Sequence, residues 1–343
     1  MDDNFLLVAV IVLVALGFDF INGFHDAANS IATIVATRVL SPFQAVLWAA
    51  VFNFSAVFII GTGVAKTVGA GMVNLEIVTP KVILAGLIGA IVWDLLTWWW
   101  GLPTSSSHAL MGGYAGAAMI KVGMTLGPSH MLEALVISGW TKTLAFIVVA
   151  PMIGMAMAYA LMIGVYWAFR NASPKTMDVW FRRLQLLSSA LLSFSHGGND
   201  AQKTAGIITG VLVSGNYLDK FEVPTWVLWS AYTAIGLGTM SGGWKIVHTM
   251  GGRLTRLKPR SGFCAEAAAA LSIMFATEHL HLPVSTTHVT AGAIAGVGSI
   301  QRLKAVRWGV AANILWAWVM TIPASAIVGG VTMAIIIQMF GAK

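Results

Sequence analysis

Cysteine occurs once in the 343 residues, at Cys264, which excludes an internal disulfide and any CxxC pair for zinc or redox chemistry. Charge is nearly as scarce. Charged residues make up 10% of the chain, against roughly one quarter in a soluble globular domain, too few to cover a water-facing surface. The small charge present leans basic, at +7, but no basic run with interleaved aromatics occurs. A nucleic-acid partner is therefore not expected, and the basic residues fall between apolar segments as topology signals. The start, Met1-Asp2-Asp3-Asn4, lacks the basic opening of a cleaved signal peptide, so the first apolar run is expected to be retained.

Hydrophobic residues are abundant, at 57% with a mean hydropathy of +0.81. This is the composition of an all-α polytopic membrane protein with the lipid bilayer as its solvent. Apolar segments long enough to cross a bilayer core of about 30 Å run over 5–37, 43–65, 81–100, 104–120 and 131–169. A second set follows at 184–214, 225–247, 262–280, 284–300 and 308–339. About ten crossings are expected, or up to twelve if the long first segment of each half breaks or 131–169 bends at Pro151.

The two sets match as halves. Asn22-Gly23-Phe24-His25-Asp26-Ala27-Ala28-Asn29-Ser30 is answered by His196-Gly197-Gly198-Asn199-Asp200-Ala201-Gln202-Lys203-Thr204. Leu102-Pro103-Thr104-Ser105-Ser106-Ser107-His108 recurs 180 residues later as Leu282-Pro283-Val284-Ser285-Thr286-Thr287-His288, and Val46-Leu47-Trp48 as Val227-Leu228-Trp229. Three motifs in one order at near-constant spacing mark a duplication: a first repeat over 1–169, a linker over 170–183 and a second repeat over 184–343. Five crossings per half invert the second repeat. With the N-terminus outside, the inner loops collect Arg38, Arg170, Lys175, Arg182, Arg183, Arg253, Arg256, Lys258, Arg260, Arg302, Lys304 and Arg307 against Asp178 alone. The outer segments mix Asp2, Asp3, Glu76, Glu133, Asp219 and Glu222 with Lys66, Lys81, Lys121, Lys220 and Lys343. The positive-inside rule is met, the linker is cytoplasmic, and the plan is that of secondary transporters with a site between inverted repeats, built on broken helices or helical hairpins at the midplane.

Asp26 and Asp200 stand in apolar surroundings, where an ionised carboxylate costs roughly 2.5–3.5 kcal/mol on insertion scales. A polar clamp between helices is the plain alternative for a lone aspartate, but duplication beside amides and hydroxyls favours a hard-oxygen site for Na⁺ or a proton. A helix break at Asn22-Gly23 and Gly197-Gly198 would expose backbone groups there. The second motif suits an anion: Pro103 and Pro283 stop one helix, and Ser105-Ser106-Ser107 or Ser285-Thr286-Thr287 open the next with free N–H groups. One such run alone reads as an ordinary cap. Lys203 supplies positive charge to an anion or snorkels, and His108 and His288 either orient the hydroxyls or handle protons. Asp19, Asp94, Lys142, Lys245, Glu266 and Glu278 are further charges near or inside spans. Asp94 is a candidate to pair with Lys142, and Glu266 to join a cation path. Gly112, Gly116, Gly292 and Gly296 read as close helix packing, and Trp98-Trp99-Trp100 as interfacial anchors.

Together these motifs resemble the inorganic phosphate transporter family, of the bacterial low-affinity permease type. The resemblance implies a non-enzymatic secondary carrier in the plasma (inner) membrane importing inorganic phosphate with a coupling cation, H⁺ or Na⁺, with no further cofactor and no resident metal. It places Asp26, Asn29, Asn199 and Asp200 in cation and phosphate sites and the Ser/Thr runs on phosphate, with Ser30, Lys203 and Thr204 beside them. Glu266, in Gly262-Phe263-Cys264-Ala265-Glu266, resembles a glutamate important for transport. His25 stands where many members have asparagine, and Asn53 where animal members have glutamate. Both departures resemble proton-coupled bacterial carriers of phosphate or neutral metal-phosphate, with His25 a proton-handling candidate. A protonated phosphate can donate to Asp26 or Asp200, whereas sulfate would meet them as an unpaired like charge. Sulfate remains the alternative substrate, and an intramembrane hydrolase using Ser107 and His108 the rival class. A homodimer is compatible with all of this.

Overall fold

The computed structural model describes residues 3–70, 72–74, 76–301 and 303–341. Asp2, Arg302 and Lys343 of the loop-charge pattern lie outside the described residues. Among those described there are twelve α-helices and no named strand, and the helices form two successive sets of six. The first set is α1 (Asp3–Ala36), α2 (Pro42–Ser55), α3 (Gly63–Ala70), α4 (Pro80–Trp100), α5 (Ser106–Thr125) and α6 (Ile137–Ala168). The second is α7 (Pro174–Ser214), α8 (Thr225–Ser241), α9 (Trp244–His248), α10 (Pro259–Glu278), α11 (Thr286–Gln301) and α12 (Trp308–Phe340). Length and order correspond through both sets.

The halves exchange partners. Helix α1 packs on α8 as α7 packs on α2, and α5 packs on α12 as α11 packs on α6. Within each half α4 pairs with α5 and α10 with α11; these hairpins flank α1 and α7 respectively and pack on α12 and α6 of the other half. In an apolar solvent the close approach of backbones drives helix association, and the glycines show where it occurs. A Cβ on Gly292 would strike the carbonyl of Pro151 inside α6, and one on Gly112 the carbonyl of Ile322 beside Pro323 in α12.

One expectation is corrected. Helices α1 and α7 run unbroken through Asn22-Gly23 and Gly197-Gly198. Gly23 and Gly197 instead make room for the backbones of Ile235 and Asn53 on the crossing helices α8 and α2. The breaks lie at the hairpin tips, 101–105 and 279–285. The segment 131–169 contains one long helix with Pro151 inside it, preceded by a short turn. The linker is mostly helical, since α7 begins at Pro174 with Ser173 as its N-cap. Among the described residues α1, α4, α6 and α12 are long and apolar enough, by length and composition, to cross a membrane. Helix α7 has the length, but the polar residues from Gln185 to Thr204 dilute its hydropathy, and these are the residues that build the site. Large apolar side chains such as Leu13, Val148, Trp167 and Ile327 cover the outside.

Candidate functional site

The hairpin tips bring the hydroxyl motifs to α1 and α7. Helix α4 ends at Gly101, whose φ of 68° is the left-handed conformation that glycine tolerates. Leu102 N–H then turns back to the Thr97 carbonyl at 2.9 Å. The second tip reaches a similar turn with His281 at φ 50°. Ser105 Oγ accepts from His108 N–H at 3.3 Å and Ser285 Oγ from His288 N–H at 3.2 Å. These two first hydroxyls are N-caps, which frees the next two of each run to face the neighbouring helix.

That facing is reciprocal across the repeats. Asn29 Nδ2 donates to Thr287 Oγ1 at 2.9 Å and Thr286 Oγ1 at 3.3 Å. Its counterpart Lys203 donates through Nζ to Ser107 Oγ at 2.5 Å, to Asp200 Oδ1 at 2.6 Å and to the Val284 carbonyl at 3.0 Å. Thr286 Oγ1 also donates to Asp200 Oδ2 at 3.3 Å. A second matched pair lies one turn away: His25 Nε2 stands 3.1 Å from Thr97 Oγ1, and its counterpart Asn199 donates to Thr277 Oγ1 at 2.7 Å. Thr97 and Thr277 are themselves 180 positions apart. Each repeat's helical motif thus reads an equivalent set of hydroxyls.

The carboxylates converge between these tips. His25 Nδ1 lies 2.6 Å from Asp26 Oδ1, and His196 Nε2 lies 3.2 Å from Asp200 Oδ2. Donor atoms of Asp26, His196 and Asp200 fall within 4.8 Å of one another, a spacing and donor set that suit a cation, although the sequence motifs alone assign no metal there. His196 is held in turn by Asn53 Oδ1 at 3.2 Å, and Asn53 Nδ2 donates to Thr239 Oγ1 at 2.9 Å. All of these side chains are buried, as are Ser30, Ser106 and Thr204, whose hydroxyls have no hydrogen-bond partner among the described groups.

Two further carboxylates border the cluster. Asp94 lies by His25, Asp26 and Ser106, and Asp19 by Asn22, Thr204 and Asp200. Both are fully buried, and neither has a hydrogen-bond partner for its oxygens among the described residues. The expected Asp94–Lys142 pair is therefore not formed. Glu266 stands apart and is saturated: it accepts from Thr33 and Ser188, each at 2.5 Å, and from Gln185 at 2.9 Å. His108 and His288 sit behind the tips with ring centroids 4.8 Å apart, and His288 stacks on Trp318 at 3.7 Å. Their rings pack the two tips together.

His196, Asn53, Thr97, Thr104, Thr277, Gln185 and Ser188 were not assigned to the site from sequence. His196 carried a signal, since it occupies the position that Asn22 fills in the first copy. The threonines and Gln185 carried none, because a polar residue on an apolar helix looks the same whether it faces a site or caps its own i−4 carbonyl.

A long-helix core facing lipid, with buried polar tips and acids at the seam of two like halves, defines an integral membrane protein of the transporter class. A model of the phosphate transporter family matches residues 22–329. The chain is 51% identical over 325 residues to a probable low-affinity inorganic phosphate transporter of Rhizobium meliloti, covering 94% of this chain and 95% of that one. It is 42% identical to one from Bacillus subtilis, over 99% of this chain and all of that one. Among solved structures, one described as the sodium-dependent phosphate transporter matches with a TM-score of 0.86 at 24% identity, over 97% of this chain and 99% of that one, a likeness of fold. The chain belongs to the phosphate transporter family.

Proposed function

We propose that the protein imports inorganic phosphate across the plasma membrane by symport with a cation, H⁺ or Na⁺, through alternating access between two inverted repeats. The observation that carries this reading is the reciprocal pairing: Asn29 to the Thr286 and Thr287 hydroxyls, and Lys203 to the Ser107 hydroxyl. A phosphate between the tips would be met by Ser106, Ser107, Thr286 and Thr287, with N–H groups at the starts of α5 and α11, Asn29 and Lys203 beside them, and Ser30, Thr204 and Asn199 behind. Hydroxyls and helix N-termini suit an oxyanion, while Asp26 and Asp200 accept the proton that phosphate carries and sulfate lacks. Asp26, in the cluster it shares with His196 and Asp200, holds the coupling cation, alone or with a divalent metal bound to the phosphate. Rocking of one half against the other would break the reciprocal bonds and re-form them at the opposite face. Glu266 ties α10 to α1 and α7, a joint that such motion loads. Ser107 is engaged by Lys203 rather than by His108, which leaves the serine–histidine pair of a hydrolase without its geometry.

The test is labelled-phosphate uptake into proteoliposomes under a sodium gradient or a proton gradient imposed separately, with excess sulfate as competitor. Uphill accumulation under one gradient, insensitive to sulfate, is the expected result. Downhill equilibration alone would make the protein a channel, and loss of uptake to sulfate would make the substrate the larger anion class.

A further inference from the structure

Internal comparison of the repeats isolates one substitution of chemical kind. Three residues after the aspartate, the first copy has the neutral amide of Asn29 and the second has the ammonium of Lys203. An ammonium has three protons to donate, and Lys203 Nζ gives them to a carboxylate, a hydroxyl and a backbone carbonyl: Asp200 Oδ1 at 2.6 Å, Ser107 Oγ at 2.5 Å and Val284 O at 3.0 Å. That is the ligand set of a hard cation, drawn from both repeats. The nitrogen is buried, with Lys203 2% exposed, and it reaches along the site rather than toward a membrane face, so it does not snorkel. Through the 174- and 180-residue offsets, the equivalent set in the first copy is the Asp26 carboxylate, the Thr287 hydroxyl and the Thr104 carbonyl. No lysine or arginine accompanies it: the ion pairs of Asp26 comprise His25 alone among the described residues, whereas Asp200 has Lys203 and His196.

We propose that Lys203 is a tethered cation, permanently filling in the second repeat the position whose equivalent around Asp26 in the first repeat takes an exchangeable one. The carrier then couples phosphate to one cation fewer than a symmetric pair of sites would, and the fixed charge keeps the second repeat's half of the anion site assembled in every part of the cycle. This deepens the transport reading and rests on it.

The test replaces Lys203 with the residue of the first copy. Lys203→Asn in the full chain, reconstituted in proteoliposomes, is assayed for phosphate uptake as external Na⁺ is varied at constant pH and ionic strength, with choline as substitute. The cation-to-phosphate ratio is read from the membrane potential that just balances a set phosphate gradient. The variant is expected to gain a saturable Na⁺ requirement that wild type lacks or shows less steeply, with one more cation moved per phosphate and a Hill slope rising from about 1 toward about 2. Unchanged Na⁺ dependence and ratio would overturn the proposal. Thermal melting of purified Lys203→Asn in NaCl against choline chloride gives a readout independent of transport. A saturable Na⁺-dependent rise in melting temperature, larger than in wild type, supports a vacated cation position. An equal response in both proteins, or a variant that no cation stabilises, overturns it. Failure of wild type to take up phosphate would refute the transport reading instead, and the melting comparison would still decide the role of the lysine.

Discussion

The two copies of the acid motif perform the same contacts with different chemistry. His25 and Asn199 both turn to a threonine on the preceding hairpin helix, and Asn29 and Lys203 both reach the hydroxyls of the opposite tip. The second copy compensates its carboxylate with an ammonium and a histidine, with Asp19 buried close by; the first has only His25, with Asp94 buried beside it. The hydrogen-bond frame is thus common to both copies and the charge is not. On the symport reading proposed above, the common frame would present like sites to both faces, and the unequal charges would let one half hold a cation while the other exchanges one.

The largest expected break in this comparison is at the aspartates. Asp26→Asn should reduce gradient-driven phosphate uptake below roughly one hundredth of wild type, since on the proposed reading this intramembrane carboxylate is the coupling element, with insertion and folding retained. Asp200→Asn should abolish uptake as well and also destabilise the fold, because removing one partner of a buried pair costs about 3–5 kcal/mol and leaves Lys203 uncompensated. Uptake in proteoliposomes and melting of the purified proteins check both. Equal stability of the two variants would deny that Asp200 is the compensated member.

Next in size is Asn29→Lys, which gives the first copy the residue of the second. An ammonium there would pair with Asp26 and displace the exchangeable cation. Phosphate exchange across equal concentrations should persist while uphill accumulation falls by about tenfold or more, the equivalent of losing about 1.4 kcal/mol of coupling. Retained accumulation would place the exchangeable cation elsewhere.

Much of this frame is legible in the amino-acid sequence. The repeated motifs, most helix boundaries to within a few residues, the proline stops before the hydroxyl runs and the recurrence of an acid motif with a hydroxyl motif in each half all follow from local signals: long apolar runs, proline stops and repeated spacing. Two segments differ more, since α7 starts at Pro174 rather than 184 and the expected 43–65 divides into α2 and α3. One reading failed for a physical reason. Glycine pairs look alike whether they break a helix or admit a neighbour, and only the backbones of Ile235 and Asn53 against Gly23 and Gly197 decide for packing. Which half each helix packs against was also hidden, because the exchange of α5 onto α12 and α11 onto α6 leaves no trace in a single chain of apolar residues. The partners of Lys203 were unreadable for the same reason: Ser107 and Val284 lie 96 and 81 positions away.

A smaller effect should separate frame from charge. Thr97→Val removes the hydroxyl between His25 and Thr104, which donates to Thr97 at 2.9 Å. Thr277→Val removes the acceptor of Asn199. Each leaves a buried polar group short of a partner, at about 1–3 kcal/mol. If the frame is common and the charge is not, both should weaken stability alike, while only Thr97→Val changes the pH dependence of uptake, because only the Thr97 hydroxyl meets a titratable ring; the His281 ring beside Thr277 meets the backbone carbonyl, which valine keeps. A pH profile of uptake for the pair reads this directly, and identical profiles would move proton handling away from His25.

The smallest expected effect concerns the hydroxyls that the structure assigns to capping. Ser105 and Ser285 accept from the backbone N–H three residues on, at 3.3 and 3.2 Å, whereas Ser107 and Thr286 contact the charged pair of α7 directly. Replacing a capping serine by alanine costs about 0.5–2 kcal/mol. Ser105→Ala and Ser285→Ala should therefore lower the melting temperature by similar, modest amounts and leave the Michaelis constant for phosphate within about threefold of wild type, a shift of under about 1 kcal/mol. Ser107→Ala, which deprives Lys203 of a ligand, should raise that constant well beyond this. A Ser105 variant as damaging to phosphate affinity as the Ser107 variant would mean that the run acts as a whole on the anion. In that case the division between cap and site, the same at both tips, would have to be redrawn.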